Sequence, residues 1–156
     1  MNLKRLTLLV LTILLCTTCS DDLSFELNDT NYLIFGHSYG ECLGERCVET
    51  FKLTNEKLFE DINDNYSGND LSFIELGADK FDEVKDLALL FPNQLLYDGK
   101  STFGCPDCTD GGGIFIQYAD NGTIQSWRMD QDKNQIPSYL HNFVDKIKEK
   151  IALIND

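Results

Sequence analysis

Basic side chains are scarce in this chain. Thirteen lysines and arginines stand against 26 aspartates and glutamates in 156 residues, a formal net charge of −13. No cluster of basic residues interrupts this surplus, so the surface repels phosphate backbones and nucleic-acid binding is not expected. Nor is there a run of the roughly 20 apolar residues that a membrane-spanning helix requires. Internal repeats and low-complexity tracts are absent, which excludes solenoids and arrays. Only three prolines occur, and each reads as a boundary. Pro92 ends a helical pattern, Pro106 suits the second position of a turn, and Pro137 suits the first turn of a helix.

Apolar and aromatic residues are plentiful beyond the first thirty positions, enough for one domain with one core and against disorder. The acidic residues are spread along the chain rather than held in a tail. Solubility accounts for that distribution; a cationic partner or a divalent ion is the sharper alternative.

The N-terminal segment has its own logic. Lys4 and Arg5 precede an apolar stretch, Leu6 to Leu15, of about the length of a signal-peptide core. Thr17 and Thr18 are small residues before Cys19, whereas bulky Leu15 precedes Cys16. Basic start, short apolar core, small residues and then Cys19-Ser20-Asp21-Asp22 together resemble the lipobox signal of bacterial lipoproteins. The resemblance covers only the first twenty or so residues, and Cys16 stands where that signal usually carries leucine. It implies cleavage before Cys19, acylation of that cysteine by palmitate-type chains, and export. The protein is then expected to be lipid-anchored in the outer membrane, facing the periplasm or the cell surface, with a protein or other component of the envelope as its partner. Several acyl chains hold stably where one holds marginally. The expected organisation is a signal peptide over 1–18, an acylated cysteine with an acidic tether over 19–30, and a domain over 31–156. Removing Lys4 and Arg5 from the 13 basic side chains leaves 11 against 26 acidic ones, a net charge of −15.

Hydrophobic patterning predicts an α+β domain in which an antiparallel sheet of about five strands carries two main helices. Strands are expected over Asn31–Gly36, Arg46–Leu53 and Leu71–Leu76, with a short helix over Thr54–Ile62 and a polar loop over Asp61–Asp70. Asp79 is a candidate N-cap for a helix whose apolar positions are Phe81, Val84, Leu87, Ala88 and Phe91. Asn121-Gly122 fits a type I′ turn and pairs Ala119 with Ile124, Tyr118 with Gln125 and Ile116 with Trp127. That register gathers Ile114, Ile116, Tyr118, Trp127 and Met129 on a core face. Phe115, Gln117, Ala119, Ile124, Ser126 and Arg128 share an amphipathic face that could meet a helix or a partner. The last helix, Pro137 to Leu153, presents a stripe of Leu140, Phe143, Val144, Ile147, Ile151 and Ile154. Lys146, Lys148, Glu149 and Lys150 are expected to face water.

Four cysteines remain for the folded part: Cys42, Cys47, Cys105 and Cys108. An even set in an oxidising compartment points to disulfides. A four-residue hairpin loop would bring Cys42 opposite Cys47 with Cβ atoms about 4.5–5.5 Å apart, and a turn at Cys105-Pro106-Asp107-Cys108 brings its ends within about 7 Å. Two local bridges, crossed bridges between the two loops, and a zinc site formed by all four cysteines or by three with His37 are all compatible with the spacing. The Cys105/Cys108 pair also resembles the redox motif of thioredoxin-like proteins, which would make the chain a thiol–disulfide oxidoreductase. That chemistry needs a helix N-terminus after the first cysteine, whereas here Thr109-Asp110-Gly111-Gly112 follows, and Asp107 and Asp110 oppose thiolate formation.

Other motifs carry less. Gly36-His37-Ser38-Tyr39-Gly40 matches the nucleophile elbow of α/β-hydrolases. Too little chain precedes it to build the upstream half of an oxyanion hole, and His141 falls on a helix surface. Asn63-Asp64-Asn65-Tyr66-Ser67-Gly68 approaches a calcium loop but starts on asparagine, and Glu75 falls one place late. No catalytic residue, metal or cofactor is therefore expected. The chain reads as a non-catalytic binding domain.

Overall fold

The computed structural model describes residues 27–156. Cys19, the leader and most of the expected tether lie outside the described residues. The elements are β1 (Tyr32–Ser38), β2 (Val48–Leu53), β3 (Leu58–Asp61), β4 (Phe73–Glu75), α1 (Ala78–Val84), β5 (Thr102–Phe103), β6 (Gly113–Asp120), β7 (Thr123–Met129) and α2 (His141–Ile154). One mixed sheet runs in the order β4-β3-β2-β1-β6-β7-β5, antiparallel throughout except where β5 lies parallel to β7. The fold is α+β with two helices, as expected, but the sheet has seven strands rather than about five.

Two of the differences are short strands. The segment expected as a helix over Thr54–Ile62 instead holds β3, whose Leu58 lies opposite Leu53 and Phe59 opposite Lys52. At four residues it is too short to display a period of its own, and the ladder to β2 decides its conformation. β5 spans two residues and is held by bonds from Arg128 N to Ser101 O and from Asp130 N to Phe103 O. The first helix also differs. Gly77 occupies the N-cap position, Asp79 lies in the first turn, and the α-helix gives way after Val84 to a 3₁₀ segment over Lys85–Leu90.

The hairpin obeys its turn. Asn121 and Gly122 both take positive φ, 48° and 83°, as a type I′ turn demands. All three expected cross-strand pairs are present. Ile114, Ile116, Tyr118, Trp127 and Met129 are buried against the helices. Beside them in the same sheet lie Leu33, Phe35, Phe51 and Leu53 from β1 and β2, and the same core takes in Phe143, Val144, Ile147, Ile151 and Ile154 from α2. Burial of such side chains stabilises the fold by about 1.5–3 kcal/mol each, before entropy is counted.

Lys150 does not face water. It is 8% exposed, and its Nζ donates to Glu83 O at 2.6 Å and meets Asp86 Oδ1 at 2.7 Å, joining α2 to the end of α1. Leu27, within the stretch expected as tether, is buried in the core. Among the described residues, the opposite face of the sheet carries no α-helix. The loop between β3 and β4 crosses part of it: Gly68 rests on the Phe115 ring, and Arg128 Nη2 donates to the carbonyls of Tyr66 and Ser67 at 3.1 and 2.6 Å.

Candidate functional site at the disulfide end of the sheet

The C-terminal end of β1 adjoins the start of both β2 and β6, because Ser38 pairs with Val48 on one side and Gly113 on the other. Both cysteine loops therefore emerge at the same end of the sheet. Disulfides close Cys42 to Cys47 and Cys105 to Cys108, with Cα atoms 5.5 and 5.4 Å apart. These are the two local bridges. Crossed bridges are not formed, and the cysteines so paired supply no thiolates for the zinc site proposed around them with His37. Among the described residues no group of three or more metal-binding side chains gathers.

Cys42 and Cys47 do not sit opposite each other in the ladder. The ladder ends at Ser38 and Val48 with one further bond, Tyr39 N to Cys47 O at 2.9 Å, and the bridge spans the loop beyond it. Leu43, at the tip of this ring, is 102% exposed, and Tyr39 beside it is partly exposed.

The second loop is built from turns. Cys108 N donates to Cys105 O, and Asp107 N to Gly112 O, both at 3.0 Å; Cys105 N donates to Asp130 Oδ2 at 3.0 Å. The segment after Cys108 is a single 3₁₀ turn, Cys108–Asp110, running through Gly111 and Gly112 into β6. It offers no helix N-terminus of the thioredoxin-like kind to stabilise a thiolate. The loops touch through glycine: a Cβ on Gly40 would collide with the Asp110 backbone, and one on Gly112 with Ser38 O.

The nucleophile-elbow match does not bring His141 to Ser38 by any hydrogen bond among the described residues. Ser38 O accepts from Gln131 Nε2 at 2.9 Å, and the His141 ring lies 3.1 Å from Ile136 O. The calcium-like loop uses its polar groups on itself: Asn65 Oδ1 accepts from Ser67 N and Oγ, and Asn63 Nδ2 donates to Asp70 O. A cavity lined by Ser38, Thr50, Tyr66, Asp107 and Phe115 measures about 20 Å³, room for a water molecule or two and too small for an organic substrate.

One arrangement escapes sequence reasoning. His37 lies directly opposite Glu49 in the ladder, and its Nε2 is 2.9 Å from Glu49 Oε2, both side chains buried. Glu49 Oε1 accepts from Asn155 Nδ2 at 2.8 Å, while Arg46 Nη2 donates to Asn155 O at 3.2 Å. His37 packs against Tyr39 with ring centroids 4.7 Å apart and the rings tilted by 53°. The cluster ties the C-terminus of α2 to the sheet directly beneath the Cys42–Cys47 ring. Only the β1–β2 register could have revealed the pairing, and the cysteines suggest a different register. The chain matches no known protein family and no curated protein in sequence.

Proposed function

We propose that this protein is an exported, lipid-anchored binding domain that displays its two disulfide loops to a partner in the cell envelope. The observation that carries this reading is the placement of the chain's approach and of the loops at opposite ends of one strand. The chain comes into the sheet through Leu27 and the turn at Asn28–Asn31, beside the β6–β7 hairpin tip, where Asn121 N donates to Asn31 Oδ1. The disulfide loops sit beyond Ser38, and the seven residues of β1 separate the two ends by about 20 Å at ~3.3 Å per residue. An anchor at Cys19 would hold the hairpin-tip end nearer the membrane and turn the stapled loops outward.

Further support comes from the disulfides themselves, which persist in oxidising compartments, and from Leu43, an apolar side chain held fully in solvent on a closed ring. Single exposed apolar residues on rigid loops suit protein recognition, since the ring limits the ordering entropy lost on binding. Metabolic labelling of the producing cells with an alkynyl fatty acid tests the anchor. Label should enter the protein and vanish in Cys19→Ala. Label that persists in that variant overturns the reading.

A further inference from the structure

The turn that carries Cys105 and Cys108 is held in a costly conformation. Asp107, Thr109 and Asp110 all take left-handed backbone angles, φ 70°, 57° and 56°, within four residues. Non-glycine residues rarely adopt this region, and β-branched threonine least readily. Asp107 Oδ1 is also buried without a protein hydrogen-bond partner, a further cost. Such concentrations mark segments with a use for stored strain. Cys105 and Cys108 are both exposed; in the other bridge Cys42 is exposed, but Cys47 is half-buried and continues the β1–β2 ladder through its carbonyl.

We propose that the Cys105–Cys108 bridge is a reversible redox latch, opened by a dithiol reductant, whose state sets the conformation of the neighbouring Cys42–Cys47 ring. The thiolate of the reductant attacks one exposed Sγ, the Sγ–Sγ bond breaks and a mixed disulfide forms. The reductant's second thiol then displaces that bond. Two electrons and two protons end on Cys105 and Cys108 as thiols, and the reductant leaves as its own disulfide. Opening frees Thr109 and Asp110 to leave the left-handed region. Because the Asp110 backbone packs directly on Gly40, and Gly112 on Ser38, that movement loosens the segment leading into Cys42. The fold persists, since the sheet and helices make no use of this bridge. The inference is independent of the anchor: it needs only the two loops and their contact.

Graded dithiothreitol, alkylation with iodoacetamide and peptide mapping of the folded protein test it. Cys105 and Cys108 should be alkylated at about tenfold lower reductant than Cys42 and Cys47. Amide exchange should then rise over residues 39–44 and 105–112 while β1, β2, β6 and α2 stay protected. Thr109→Gly, which removes the threonine's share of the strain, should make the latch about fivefold harder to reduce. Cys105→Ser/Cys108→Ser should fold and show the exchange pattern of the reduced form. Simultaneous opening of both bridges, earlier opening of Cys42–Cys47, or unchanged exchange over 39–44 would overturn the proposal. So would a Thr109→Gly bridge as easily reduced as the parent's, or a double variant that fails to fold.

Discussion

Tyr139 donates its hydroxyl to Asp98 Oδ2 at 2.8 Å. Burial, then that bond and the carboxylate's charge, push its hydroxyl well above the ordinary tyrosine value of 10.0. A folded-state value raised in this way contributes stability that is complete below about pH 10 and lost as pH rises through the folded value. Tyr139→Phe should cost about 1 kcal/mol at neutral pH through the lost hydrogen bond. Above pH 10 its stability should fall less steeply than the parent's, keeping the losses due to Tyr118, which burial and Asp120 also raise, and to Lys57, Lys85 and Lys146, which hydrogen bonds to Glu75, Asp82 and Glu149 raise. Urea unfolding at neutral pH and above pH 10 measures both; parallel curves would refute the assignment. The Tyr139–Asp98 bond joins residues 41 positions apart, and no local pattern announces it. Lys150 teaches the same lesson. It sits at the margin of the stripe formed by Ile147, Ile151 and Ile154, so periodicity alone leaves its side undecided. Its burial depends on Glu83 O and Asp86, which another element supplies.

At the scale of elements, the β6–β7 hairpin was fully legible. Its turn chemistry is local, and the side-chain alternation of eight and seven residues fixes the register once the turn is known. Gly122 at φ 83° is where that turn is most exposed to challenge. Gly122→Ala should destabilise the domain by about 1–2 kcal/mol, the cost of a Cβ in the left-handed region, and lower the thermal midpoint accordingly. An unchanged midpoint would mean that packing, not the turn, sets the register. The stripe of the last helix was legible for the same reason, since all six of its residues are buried, Leu140 from the 3₁₀ turn Ser138–Leu140 that replaces the expected helical start at Pro137 and the other five from α2. β3 and β5 were not: four and two residues carry no readable period, and their partners Phe51–Leu53 and Arg128–Met129 lie elsewhere in the chain. The cysteine spacing revealed that local bridges could form but not the ladder beneath them. Disulfide geometry constrains two Cα atoms, whereas register depends on which faces are buried.

For the whole molecule, the lipobox resemblance implies where the chain works, and the fold suggests how it would present itself there. A sheet with helices packed on one face, the chain arriving at one end of β1 and two stapled loops leaving the other, is the arrangement on which the proposed display of those loops rests. No helix of the described residues is long and apolar enough to cross a membrane; the proposed anchoring rests on the resemblance around Cys19. The cysteines bind the two halves of the account together, because the proposed export would keep the four in the folded domain as disulfides and the proposed acylation would use one of those remaining. Intact-mass measurement of the protein extracted from its native membrane, without reductant, tests this most directly. The account predicts a chain beginning at Cys19, heavier by the attached acyl groups and lighter by the four hydrogens lost in forming two disulfides. An unprocessed chain that retains Met1 to Thr18 and carries four free thiols in the folded domain would contradict it.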